Sequence, residues 1–272
     1  TNPDGDAVGS SLAWAEGLRG MGHEVTCIVP NKYPYFLDWM PGIGQVVVFK
    51  NDTAGDAVRA IAEADLLFCL DFNAVSRLEI LSDTIEANTT ARRVLIDHLL
   101  SPDGHFDLSF SYPDSSSTCF LVYSIIEALF GTDAITRQMA EALYVGIMTD
   151  TGRFSYQNVN PTCFIHAAET VEAGAEPNLI AREFFQSRSL PSLRLEQLML
   201  SRMMFFCGGA FVCSYLKDAD FEEQGAIRDD AEILIDILRG IAGVRVALIL
   251  KENGKGEIRG SLRAKDETDV AQ

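Results

Sequence analysis

The chain has 272 residues, 47% of them hydrophobic, enough to bury a sizeable core in one large domain or two unequal ones. Lys and Arg number 22 against 39 Asp and Glu, and the resulting formal charge of −17 argues against non-specific binding to long nucleic acid. No apolar run approaches the length of a membrane span and no basic-then-apolar leader opens the sequence, so a cytoplasmic protein is expected.

In chain order, the opening TNPDGD sets Asp4 and Asp6 on a Pro/Gly-rich turn that runs into a helical pattern over residues 7–19, with Val8, Leu12, Ala15 and Leu18 on one face. Gly20 and Gly22 end it, and HEVTCIVP reads as a strand. The rhythm repeats: VVVF as strand, DTAGDAVRAIAEA as helix, DLLFCLD as buried strand, NAVSRLEILSDTIEAN as helix and RRVLID as strand. Such alternation predicts a parallel sheet covered by helices. From Ser115 the pattern turns helical, over roughly residues 116–130, 136–148, 161–174 and 177–187, with SSST offering hydroxyl caps. LPSLRLEQLMLSRMMF reads as a linking helix, after which strand, helix, strand and strand follow in GAFVCSYL, DDAEILIDILRGIAG, VRVALIL and GEIRGSLRA. The expected architecture is α/β: a parallel-sheet domain over 1–187 with helices on both faces, a linker helix over 188–204, and a smaller α/β domain over 205–272. The six cysteines form no CxxC pair and mostly sit in apolar stretches, which predicts buried free thiols.

Asp71 closes one apolar run, and Asp97 with His98 closes another, so polar groups fall just past the carboxyl ends of expected strands, where open α/β sheets bind ligands. Asp150, in GIMTDTGRF, is a further candidate at a helix end. Each has an ordinary alternative: Asp71 as a helix cap, His98 as a hydrogen-bonded loop histidine, Asp150-Thr151-Gly152 as a helix stop. Taken together, Asp oxygens with one imidazole and no thiolate suit Mn²⁺ or Mg²⁺ better than structural zinc. Bound cations would also let this acidic chain accept a small anionic substrate.

In order, NPDGDAVGSSLA, LDFNAVSRLE, VLIDHL and GIMTDTGRF resemble the four motifs of the DHH phosphoesterase superfamily, in particular its stand-alone nanoRNase and pAp-phosphatase type. The resemblance implies a DHH domain, a linker helix and a DHH-associated C-terminal domain. It implies two metal ions, Mn²⁺ or Mg²⁺, with Asp4 and Asp6 as first-motif ligands, one for each ion, Asp71 bridging, and His98 and Asp150 completing the second site. Such an ion pair activates water and stabilises an in-line phosphoryl displacement. Asp97 would orient His98 from behind. Ser116, Ser117 and Thr118 match a stretch at a helix start suited to an anion, with a plain N-cap as the alternative. Arg77 and Arg153 match basic positions near the family's site, with a surface ion pair as the alternative. Arg263, in GSLRAK, matches a substrate contact suited to bidentate bonding. The resemblance also implies a strand and a His ahead of Thr1 and a glycine-rich segment beyond Gln272.

One departure stands out. Leu99 occupies the place of the second His of the DHH triplet, and a leucine can neither donate a proton nor bond a phosphoryl oxygen. The leading expectation is a metal-dependent phosphohydrolase of short oligoribonucleotides or pAp, with a homodimer left open. Two others stand beside it: a related hydrolase of pyrophosphate or cyclic-dinucleotide breakdown products, and a metal- and nucleotide-binding homologue weakened by Leu99.

Overall fold

The structure is a computed structural model and describes residues 3–265. Two compact units divide the chain, Thr1–Phe184 and Phe185–Gln272.

In the first unit, helix α1 (Gly5–Gly20) starts because the Asp4 side chain caps it, accepting from the backbone N–H of Asp6 and Ala7. A two-residue parallel pair follows, β1 (Ile28–Val29) with β2 (Val47–Val48), then α2 (Asp56–Glu63). The strands expected in HEVTCIVP and VVVF are thus shorter than read. Pro30 follows β1 without an N–H for the ladder, and Phe49–Asn51 turns into a 3₁₀ helix after β2. Strands β3 (Leu66–Leu70), β4 (Arg92–Asp97) and β5 (Leu108–Ser111) form a parallel sheet in that order, with Asp97 opposite Ser111. Strand β5, in HFDLSFS, carries no apolar run and was not anticipated.

Side-chain alternation along β3 explains how the sheet is covered on both faces. Phe68 meets Trp14 of α1 edge-on at 5.2 Å, whereas neighbouring Leu67 packs with Ile61 of α2 and with Leu81 and Ile85. The segment read as one helix over NAVSRLEILSDTIEAN is a 3₁₀ helix, Val75–Leu81, broken at Glu79 with φ of 49°, followed by α3 (Ser82–Ala87).

The helical half comprises α4 (Thr118–Phe130), α5 (Arg137–Asp150), α6 (Pro161–Glu172) and α7 (Pro177–Ala181), which passes into a π-helical turn over Arg182–Gln186. Ser117, Thr136 and Asn160 cap the first three through side-chain oxygens, and Pro161 stands at the first turn of α6. Helix α1 packs along α5 at unusually close range. An added Cβ on Gly5 would lie 2.7 Å from Thr149 Oγ1, and one on Gly9 would strike the Ala142 carbonyl.

The second unit contains α8 (Leu190–Ser201), β6 (Met204–Phe206), β7 (Phe211–Leu216), α9 (Asp218–Gln224), α10 (Leu234–Gly240), β8 (Val246–Glu252) and β9 (Ile258–Ala264). Its sheet order is β6-β7-β8-β9, with only β7 and β8 parallel. The helix read as a linker contributes Leu195 and Met199, fully buried, to the core of this unit beside Val212, Leu234 and Ile249. Burial of such side chains contributes about 1.5–3 kcal/mol each, which anchors α8 there. The helix expected over DDAEILIDILRGIAG is two pieces, Arg228–Ala231 and α10. All six cysteines are free and only Cys207 is exposed. Among the described residues no helix is long and apolar enough to cross a membrane.

Candidate metal centre

Four elements of the first unit deliver ionisable groups to one place. Asp6 rides in the first turn of α1, Asp71 follows β3, His98 follows β4 and Asp150 is the last residue of α5. Ligand atoms of Asp6, Asp71 and His98 all lie within 4.8 Å of one another. His98 Nε2 is 3.1 Å from Asp150 Oδ2, 3.6 Å from Asp71 Oδ1 and 3.7 Å from Asp6 Oδ2.

Asp6 is fully buried, and both its oxygens are engaged: Thr118 N–H donates to Oδ2 at 2.6 Å and Cys119 N–H to Oδ1 at 2.8 Å. These donors are orphan N–H groups at the start of α4, where the helix dipole favours an anion. Burial, followed by the charges of Asp150 and Asp4, nonetheless pushes the Asp6 carboxyl up to about 7. Asp71 accepts from Thr118 Oγ1 at 3.0 Å and holds a left-handed backbone, φ 62°, a conformation costly for a residue with a Cβ. Its carboxyl is raised well above the usual range by burial, then by Asp6, Asp4 and Asp150. Asp4 spends Oδ1 on the cap of α1, and dehydration and the charge of Asp150 raise its carboxyl too.

Burial alone would lower the His98 pKa, but the Asp150 hydrogen bond and the charges of Asp6 and Asp150 push it up to about 9. The Ser115 carbonyl lies 3.3 Å from Nδ1, and a carbonyl only accepts. Nδ1 therefore carries a proton, and in the neutral ring the Nε2 lone pair faces the carboxylates. Hard carboxylate oxygens with one imidazole nitrogen, mutually repelling unless positive charge is shared among them, fit Mn²⁺ or Mg²⁺.

The remaining expected residues are arranged differently. Asp97 does not hold His98: its carboxylate is fully buried with no hydrogen-bond partner among the described residues, and the Ser115 carbonyl takes the orienting position instead. Burial raises its carboxyl. At the start of α4 the N–H groups of Thr118 and Cys119 are taken by Asp6. Ser117 Oγ caps α4 by accepting from Phe120 N–H at 3.0 Å, Thr118 Oγ1 donates to Asp71, and Ser116 Oγ is buried without a partner among the described residues. Arg77 is exposed and donates to Asn73 Oδ1 at 3.1 Å, a local contact. Arg153 is exposed in the turn after Asp150, with φ of 62°. Arg263 lies on β9 of the second unit, exposed, donating to the Leu262 carbonyl at 3.1 Å. Leu99 is half-buried beside His98.

Sequence reasoning missed the glycines that make the close approach. A Cβ on Gly146 of α5 would lie 2.6 Å from Asp6 Oδ1 and would strike Cys119 Sγ. The four-residue spacing of Gly5 and Gly9 was the available signal for a tightly packed helix pair. It also missed Ser115, which acts through a backbone carbonyl that no motif marks.

Comparison with known proteins agrees with this geometry. The DHH family, N-terminal domain, matches residues 1–147. The bifunctional oligoribonuclease and PAP phosphatase NrnA of Thermus thermophilus is 27% identical over 264 residues, covering 97% of this chain and 74% of that protein. The Bacillus subtilis protein of the same name is 24% identical over 176 residues, 64% of this chain and 55% of its own length. The crystal structure of an exopolyphosphatase-related protein from Bacteroides fragilis superposes with a TM-score of 0.92 at 33% identity, over 98% of this chain and 77% of that one. With its motifs gathered at one centre and the family match extending across more than half of its length, the chain belongs to the DHH family of phosphoesterases and is a hydrolase.

Proposed function

We propose that the protein hydrolyses phosphoester bonds of short oligoribonucleotides or of pAp, using two divalent cations, Mn²⁺ in the first instance. The observation that carries this reading is the convergence of Asp6, Asp71 and His98 ligand atoms within 4.8 Å, with Asp150 Oδ2 3.1 Å from the same imidazole nitrogen. Asp4 would serve one ion, Asp6 with His98 and Asp150 the other, and Asp71 both. When bound, such an ion pair supplies an activated water and neutralises phosphate charge.

The chain's own residues do the rest. Asp71, held left-handed and tied to Thr118, offers its carboxylate to the cluster from a fixed position. The α4 N-terminus fixes Asp6 through two N–H donors, so its orientation needs no rearrangement during turnover. Ser115 keeps the proton on His98 Nδ1 and leaves Nε2 as the ligand atom. The relatives named as oligoribonuclease and PAP phosphatase support the substrate class. Arg153 and Arg263 are the cationic groups assigned to substrate phosphates, as bidentate donors.

Phosphate release from pAp and pyrophosphate, and mononucleotide release from dinucleotides, in the presence of Mn²⁺ test the reading, with Asp71→Asn as the control. Turnover of pAp or dinucleotides, lost in the variant, is expected. Hydrolysis of pyrophosphate alone would overturn the substrate assignment. A second reading, a nucleotide-binding homologue of low activity, is favoured by Leu99, which places an apolar group next to His98.

A further inference from the structure

His98 is gripped from two sides by segments far apart in sequence. Its Nδ1 faces the Ser115 carbonyl, in the turn before α4, at 3.3 Å, and its Nε2 faces Asp150, at the end of α5, at 3.1 Å. The ring can be aimed only if the separation of these two arms is fixed. One side chain bonds to both: Asn158 Nδ2 donates to the Ser116 carbonyl at 2.9 Å and to the Asp150 carbonyl at 3.3 Å. An amide NH₂ has two donors, and here each goes to a different arm. The reverse amide orientation would set an oxygen against two carbonyl oxygens, so these partners also decide which way the group points.

The position of Asn158 is itself secured. It lies two residues before the Asn160 cap of α6, and Cys163 Sγ of that helix reaches the Asn158 carbonyl at 4.0 Å. Its Oδ1 is buried without a partner among the described residues. The amide therefore acts here through its donors.

We infer that Asn158 is a positioning residue: by tying the Ser116 carbonyl, one residue past the carbonyl that faces His98, to the Asp150 end of α5 it holds the His98 imidazole with Nδ1 protonated and Nε2 aimed at the ligand cluster. The inference rests on the metal-dependent reading above for its effect on ion binding, while its effect on the ring is independent of any ion. Loss of a group that orients a ligand typically weakens metal binding by about tenfold to a hundredfold.

The test compares the parent protein with Asn158→Ala, Asn158→Ser and Asn160→Ala. NMR of histidine-labelled, metal-free protein reads the hydrogen-bonded Nδ1–H of His98, identified by its absence in His98→Gln, and Mn²⁺ calorimetry reads affinity. Asn158→Ala is expected to lose the slowly exchanging Nδ1–H signal and to bind Mn²⁺ about tenfold to a hundredfold more weakly. Asn160→Ala removes the α6 cap but not the bridge, so it should lower the melting temperature and leave both readouts at parent values. Retention of the parent signal and affinity in Asn158→Ala overturns the proposal. Should that variant not fold, Asn158→Ser, which keeps one donor, replaces it: a weakened signal supports the bridge, and a parent-like signal with parent affinity rejects it. A parent protein that takes up no Mn²⁺ counts against the metal-dependent reading, whereas loss of the Nδ1–H signal in Asn158→Ala still supports the bridge.

Discussion

Asp150 Oδ2 approaches His98 Nε2 to 3.1 Å while Asp71 and Asp6 stand on the same nitrogen at 3.6 and 3.7 Å, so a single imidazole is the meeting point of three carboxylates. A proton on that nitrogen and a divalent cation answer the same demand for positive charge. The folded protein should therefore be stabilised by Mn²⁺. At a free concentration one hundred times the dissociation constant the gain is about 2.7 kcal/mol per site, read as a rise in melting temperature. Asp150→Asn should shrink that rise, and an equal rise in parent and variant would remove Asp150 from the centre.

Gly146→Ala should damage stability and metal binding together. The new Cβ would sit 2.6 Å from Asp6 Oδ1 and against Cys119 Sγ, in a core with no slack. Overpacking of this kind costs about 1–3 kcal/mol. Adding Cys119→Ala relieves the sulfur clash and should recover part of the melting temperature, but not the Mn²⁺ affinity, because Asp6 remains displaced. Full recovery of both would mean that Asp6 is not the group being pushed.

His166 gives a pH dependence that has nothing to do with metal. Buried on α6, it stacks on Tyr123 at 4.1 Å and meets Phe120 at a tilt at 4.5 Å, and its Nδ1 has no partner among the described residues. Burial lowers its pKa to about 4, against a small opposing effect of Glu169. The folded state resists protonation while the unfolded state accepts it, so this contribution is complete above about pH 6.5 and is lost as the pH falls toward 4. Each pH unit in that window removes about 1.4 kcal/mol, and the whole effect is at most about 3 kcal/mol. His166→Phe should flatten this part of the stability curve measured by urea unfolding between pH 7.5 and 4. Parallel curves for the two proteins would exclude His166 as the source.

Leu99→His tests whether the departure in the DHH triplet limits turnover. The position is half-buried directly after His98, so an imidazole there can reach water at modest cost. If the side chain faces the phosphate, kcat for pAp or a dinucleotide in excess Mn²⁺ should rise about tenfold to a thousandfold through a restored donor. If it packs behind the turn instead, the variant loses about 1–3 kcal/mol of stability with no gain in rate, and that result would falsify the substrate-facing assignment.

Short-range physics wrote the order of the site into the sequence. Asp71 and His98 stand at the ends of apolar runs that become β3 and β4, and Asp4 caps α1 from a Pro/Gly turn, because strand ends and helix caps depend on neighbours a few residues away. Where local pattern was weak the reading slipped: β5 has no apolar run, and β1 and β2 keep two residues each because their pairing depends on how far two loops run together. Partner choice inside the site was beyond local pattern altogether. Asp6 takes its hydrogen bonds from Thr118 and Cys119, more than one hundred residues away, and so takes up two N–H groups of the helix N-terminus that SSST advertises. The orienting contact of His98 fell to the Ser115 carbonyl, leaving adjacent Asp97 buried and unpaired, because a backbone acceptor becomes available only where packing sets the start of α4 against the end of β4. A sequence specifies which donors and acceptors exist, but which of them meet is decided by distances of a few tenths of an ångström, set here by α1 and α5 closing over Gly5, Gly9 and Gly146.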